Sequence, residues 1–286
     1  MDFRLTEDQR ALRRGVRELL ACLFDREALR GTVDSPVLDR ELWRELGAAG
    51  FFALRLPEEE GGVGLGLPEA VLVFEEAGRV LLPGPLVATH SAAGVVPGAA
   101  DGSAVVTSVD EGLVPWLDEA DVVLGDVTDA VPVRSVDPLT PLHRVPGTVG
   151  TTGLTDALLT AAEQVGSASA TTGLAVSHAR ARTQFGQVIG GFQAVKHLCA
   201  GMLVRTELAR AAVWAASVTG DPVEIAGAKL LADEAAVRNA RDCLQVHGGM
   251  GFTWEADVHL HLKRAWVRAE LRMPVARAEE AVAAGL

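Results

Sequence analysis

A mainly α-helical fold with a small β insert is what this sequence predicts. It falls into three parts: a helical domain over residues 1–98, a shortened β region over 99–150, and a helical bundle over 151–286. Three observations lead there. Apolar residues recur at three- and four-residue spacing on both sides of the middle. Short β-branched runs broken by Asp, Gly and Pro occupy the middle itself. The 286 residues are 49% hydrophobic and 22% charged, enough to bury a large core.

Thr6 caps the first helix, with Glu7 as its first-turn acid, and the pattern LTEDQRALRRGVRELLACLF runs on from there. Residues 39–49 and 67–82 repeat the helical period. Between them the glycines and prolines of LPEEEGGVGLGLP enforce a loop. Its GGVGLG is no dinucleotide fingerprint, because that motif must follow a strand and open a helix within a βαβ unit. Residues 83–96 add a short helix. In the middle, 104–109, 121–124 and 130–136 read as strands. The helical period then returns over 154–183, 189–219, 222–247, 255–270 and 274–284.

Composition excludes several function classes. The net charge is −12, and the 23 arginines and three lysines are scattered among carboxylates, so no basic stripe awaits a nucleic acid. No run approaches the roughly 18 apolar residues of a membrane span. The charged N-terminus is unlike a secretory signal, which points to the cytoplasm. Cys22, Cys199 and Cys243 show no CxxC spacing, which argues against disulfides and a thiolate metal site. His259 and His261, two apart, face different directions on a helix and do not share a metal; no metal site is expected. Tyrosine is absent, so no phenol takes part in any mechanism.

Several stretches carry a resemblance. DFRLTEDQ, ELWRELGAAGFFALRLPEEEGGVGLGL and VFEEAGRVLLPGPL in the first part, then RTQFGQVIGGFQAVKH and CLQVHGGMGFTWEADVHLHLKRA in the last, are similar to the acyl-CoA dehydrogenase family. The last two together are the most specific, and their separation of about two helices fits a C-terminal four-helix bundle. The resemblance implies an oxidoreductase that uses FAD to form an α,β-unsaturated acyl-CoA, with electron-transfer flavoprotein as oxidant. It also implies that one chain reaches over to its neighbour's FAD. The matching positions are Arg182, Gln184, Phe185 and Gly186, with Gln193 one helical run further on, and Gln245, Gly248, Gly249 and Gly251. A guanidinium forks across diphosphate oxygens, and glycines let backbone amides come close. Taken singly, Arg182 reads first as a solvated helix residue and residues 248–251 as a helix stop; taken jointly, the flavin reading leads. His247, beside the glycines, reads as a helix C-terminal imidazole or as a phosphate contact.

The pattern also departs from the family. Catalysis there needs a glutamate base, and many members place it shortly after the second signature, where this chain has Arg272. A guanidinium stays protonated and is no base. Counting back twenty-six residues from Arg182, to the family's other base position, reaches Asp156. Asp156 stands either as a shortened base or as a first-turn acid complementing the helix dipole. Glu255 is a further candidate near the cofactor-facing segment. The middle region, about fifty residues, is half the roughly hundred-residue β domain that the resemblance leads one to expect.

What survives is what a chain donates to a neighbour's FAD; what is eroded is what it would use for its own. The chain therefore resembles the shorter subunit of the two-plus-two heterotetrameric members from actinobacteria. A longer acyl-CoA dehydrogenase subunit would supply the flavin platform and the base, and the substrates would be bulky, sterol-derived CoA thioesters. Two alternatives stay open: a self-sufficient homotetramer with Asp156 or Glu255 as base, and a non-catalytic structural subunit.

Overall fold

The computed structural model describes residues 4–147 and 153–285. The expected boundary between the middle region and the bundle, at 150/151, lies outside the described residues.

Helix α1 (Glu7–Leu23) begins where the sequence predicts, with Thr6 and Gln9 exchanging side-chain and backbone hydrogen bonds in a capping box. Helix α2 (Arg26–Asp34), capped by Asp25, was not anticipated. Its nine residues contain Gly31, Thr32 and Val33, poor helix formers that mask its period. Asp39 caps α3 (Arg40–Ala48); α4 (Leu67–Arg79) and α5 (Leu86–Ala92) follow. Between α3 and α4 the GGVGLG segment is a loop, as expected, with Gly61 and Gly64 at φ +81° and +70°.

Trp43, Phe51, Phe52 and Phe74 stack at the centre of this part, with ring centroids 4.6–5.4 Å apart. Helix α4 is buried from Ala70 through Gly78, so it serves as the spine between the N-terminal helices and the bundle. It meets α6 (Leu154–Ala181) at Gly78 and Gly166, where a methyl group on either would overlap the other helix's backbone.

The middle region is two small sheets. Strand β1 (Val106–Ser108) pairs in parallel with β3 (Val122–Leu124). Strands β2 (Leu113–Pro115), β5 (Leu142–Arg144) and β4 (Val131–Val133) form an antiparallel sheet in the order β2-β5-β4. The sequence marked β1, β3 and β4 but missed β2 and β5, three-residue strands interrupted by Pro115 and His143.

Helices α6, α7 (Gln193–Thr219), α8 (Pro222–His247), α9 (Val258–Ala269) and α10 (Val275–Ala284) make the C-terminal bundle. Two sequence boundaries are corrected. Residues 189–191 form a separate short turn before α7, and α9 starts at Val258, so Glu255 does not open that helix. Buried polar groups tie the bundle together. Lys229 pairs with Asp233 at 2.5 Å, Gln164 reaches both Asp233 and Ala265, and Asn239 bonds to Met202 and Thr206.

His261, buried on α9, bonds to the Ser167 hydroxyl at 2.8 Å. Burial, aided by the charges of Arg268 and Arg264, pushes it down to about 3, and burial pushes His90 down to about 4. Both are neutral in the fold, whereas the unfolded chain protonates them below about 6.5. The unfolded state therefore binds more protons as pH falls from 6.5 toward 4, and stability drops by up to about 1.4 kcal/mol per histidine per pH unit. Thermal unfolding between pH 7.5 and 4.5 should show the midpoint falling below pH 6.5, with a shallower fall in His261→Gln.

Candidate functional site

The sequence-marked residues gather in two places, one outside the bundle and one inside it. Outside, α6 stops at Ala181, and the Arg182 amide donates to the His178 carbonyl at 2.8 Å. A miniature hairpin follows, β6 (Thr183–Gln184) against β7 (Gln187–Val188). Its two-residue turn is Phe185-Gly186, with φ +53° and +79°. Two successive positive φ values are what a hairpin turn twisted like its strands requires. This turn holds the Phe185 ring 92% exposed, edge-on to Phe192 at 6.2 Å. Gln193 then opens α7 and is exposed.

The second marked segment lies beside it. Gln245 is exposed in the last turn of α8, and His247 ends that helix. Gly248 follows at φ +61°, the conformation only glycine adopts readily. A Cβ on Gly186, Gly248 or Gly249 would meet no atom within 4 Å, so these backbones face open space. Gly251 differs: it is buried, and a Cβ there would press within about 3.0 Å of His247. Packing alone therefore calls for glycine at this position. The His178 and His247 rings stack at 4.1 Å between centroids, joining the ends of α6 and α8. Met250, Phe252 and Trp254 extend the exposed apolar surface beyond them.

A diphosphate-bearing flavin fits this surface as a half-site. A guanidinium, three amide side chains and unobstructed glycine backbone match a dianion and its ribose hydroxyls. Every one of these groups except Gly251 is exposed.

Inside, the two positions at which the resemblance locates a base meet each other. Asp156, in the first turn of α6, accepts from Arg272 at 3.1 Å and from the Ser91 hydroxyl of α5 at 2.5 Å. Arg272 sits in the turn between α9 and α10, where it and Met273 hold positive φ values of 51° and 74°. Such backbone persists when side-chain contacts over-determine it. The Arg272 amide donates to buried Asp110, and its guanidinium also donates to Ser108 at 2.7 Å. Glu255, by contrast, is exposed in the turn before α9, where its carbonyl accepts from Arg26.

Arg272 is the last of three buried arginines. Arg264 pairs with Asp137 and donates to the Leu82 and Leu139 carbonyls, and Arg268 donates to Glu163 at 2.7 Å. Burial takes Arg268 down to about 10 and pushes Glu163 up, against the opposing pull of Arg268. Together they line a cavity of about 60 Å³ between α5, α6, α9 and Trp116. A drug-sized ligand site takes some 300 Å³ or more. Sequence reasoning missed Ser91, Ser108, Asp110, Asp137, Glu163, Arg264 and Arg268. The available signal was the four-residue spacing of Arg264, Arg268 and Arg272, one stripe running into an otherwise apolar helix face.

Comparison with known proteins shows the family. The acyl-CoA dehydrogenase N-terminal domain model matches residues 6–106 and the C-terminal domain model matches 154–272. Acyl-CoA dehydrogenase IpdE2 of Mycobacterium tuberculosis is 38% identical over 302 residues, 93% of this chain and 93% of its own. In fold the chain is similar to the ChsE4-ChsE5 complex from the same organism, with a TM-score of 0.86 at 24% identity over 99% of this chain and 98% of that one. It is also similar to the Tcur3481-Tcur3483 steroid acyl-CoA dehydrogenase, with a TM-score of 0.84 at 23% identity over 97% of each chain. A further neighbour in fold, PigA, is known as an FAD complex, and by the domain models and the IpdE2 match the chain belongs to the acyl-CoA dehydrogenase family of oxidoreductases.

Proposed function

We propose that the chain is the shorter subunit of a heterotetrameric acyl-CoA dehydrogenase, cytoplasmic and acting on a bulky, sterol-derived CoA thioester. In this reading it completes the FAD site of a longer partner subunit. One observation carries the proposal: Arg272 and Asp156, which stand at the two positions where the family keeps its base, pair directly with each other at 3.1 Å, and the cavity that Arg272 lines, about 60 Å³, is too small for an acyl group. Arg272 cannot accept a proton, and Asp156 is committed to two donors. The α-proton is therefore removed by a carboxylate of the partner.

When bound, FAD supplies the hydride acceptor. Arg182 would fork onto the diphosphate, with Gln184, Gln193 and Gln245 donating beside it. Gly186, Gly248 and Gly249 would let backbone amides approach, and the Phe185 ring would shield the junction from water. The heteromeric neighbours and the steroid-directed one support the partner and the substrate class. Electron-transfer flavoprotein is the expected oxidant. Among the described residues no helix is long and apolar enough to cross a membrane.

Expression alone and together with a longer acyl-CoA dehydrogenase from the same genome tests the reading, by flavin absorbance and light-scattering mass. A yellow four-chain complex only on co-expression supports it. A yellow, active tetramer of this chain alone would overturn it and turn attention to Asp156 and Glu255.

A further inference from the structure

The stacked imidazoles of His178 and His247 have no place in the function described so far. They bridge the two segments that carry Arg182, Gln245 and Gly248, and both rings are only partly buried. His247 Nδ1 lies 2.8 Å from the Cys243 carbonyl, which only accepts, so Nδ1 donates there and Nε2 is the nitrogen that bond leaves available. His178 lies one turn before Arg182, and the Arg182 amide closes the helix onto the His178 carbonyl. The two rings thus meet where α6 and α8 end, with the charge of Arg182 near enough to act on His178.

We infer that His178 and His247 form a proton-coupled anchor for the anionic diphosphate of the cofactor, an inference that rests on the donated half-site. The charged and titratable groups facing the pair are Arg182 from α6 and Cys243 from α8, whose Sγ is 3.6 Å from His247 Nδ1. Asp242 and the α7 residue Cys199 act on Cys243 behind it. Without an anion, two rings at 4.1 Å beside a guanidinium oppose each other's protonation. Burial first, then His247 and Arg182, lower His178 from its ordinary value. His178 is thereby held toward its neutral form. A bound diphosphate reverses the balance, because a dianion stabilises an imidazolium as it does Arg182. Binding then takes up a proton, and linkage requires affinity to rise as pH falls.

The test is isothermal titration of FAD into the flavin-stripped assembly that this chain forms, near pH 6.5, in buffers of different ionisation enthalpy. The expected uptake approaches one proton per FAD, and affinity tightens roughly three- to tenfold from pH 8 to pH 6. His178→Phe keeps a ring in the stack and removes one titrating group; it should cut the uptake and flatten the pH dependence. His178→Phe combined with His247→Gln should abolish both. Zero uptake by the wild type, or unchanged uptake in His178→Phe, overturns the inference. Arg182→Ala separates the two levels. If FAD binding survives it unchanged, the half-site reading fails; if binding weakens while the wild type takes up no proton, the imidazole inference alone fails.

Discussion

Arg272→Ala is expected to lower the unfolding free energy by about 3–5 kcal/mol, the usual consequence of breaking a buried ion pair from one side. The guanidinium is 10% exposed, and it faces Asp156 at 3.1 Å, Asp110 at 3.5 Å and Ser108 at 2.7 Å. Its removal takes countercharge from two carboxylates and frees a turn held at positive φ by those contacts. Urea denaturation followed by circular dichroism measures the loss, and Asp156→Asn should show a smaller one. Arg272→Glu sharpens the distinction between fold and catalysis. It restores a carboxylate at the family's base position, but beside Asp156 and Asp110 it crowds like charges into a dry site. The expected result is a less stable protein with no gain in dehydrogenation. An Arg272→Glu variant that folds normally and oxidises an acyl-CoA by itself would show that this interior is a working site.

Arg182→Ala addresses the outer surface and should leave the fold intact, because Arg182 is exposed and its structural bond is made by the backbone amide. A charge-assisted fork to a diphosphate contributes about 2 kcal/mol, roughly a thirtyfold change in dissociation constant. The assembly purified with Arg182→Ala should be visibly depleted in flavin, with its mass and thermal midpoint unchanged. Arg182→Lys should recover only part of the affinity, since an ammonium is a point charge without the planar fork. Full retention of flavin by Arg182→Ala would reduce this chain to a packing subunit.

These variants also mark how much was legible in the residues. The surface proposed to meet the cofactor was readable because it is local. Arg182, Gln184, Phe185 and Gly186 are contiguous, and the glycines after α8 follow Gln245 within a few residues, so motif and geometry coincide. Helix starts were readable for the same reason, from Thr6 and Asp39 as caps. The exception at Glu255 came from a turn that delays α9 to Val258, where Asp257 is tied instead to Arg26 and Arg30. Short strands β2 and β5 escaped because three residues carry too little alternation to show a period.

By itself, then, the sequence determined the helical frame and the presence of an arginine, not a carboxylate, at residue 272, and it marked the exposed residues that are proposed to meet the cofactor. Only the tertiary structure decided what fills the interior. Asp156 and Arg272 are 116 residues apart, Asp137 and Arg264 are 127 apart, and Glu163 and Arg268 are 105 apart. No local pattern pairs such charges. They meet because folding buries α6, α9 and the segments around Asp137 and Arg272 against one another, and in that dry space each carboxylate must find a cation or lose its charge.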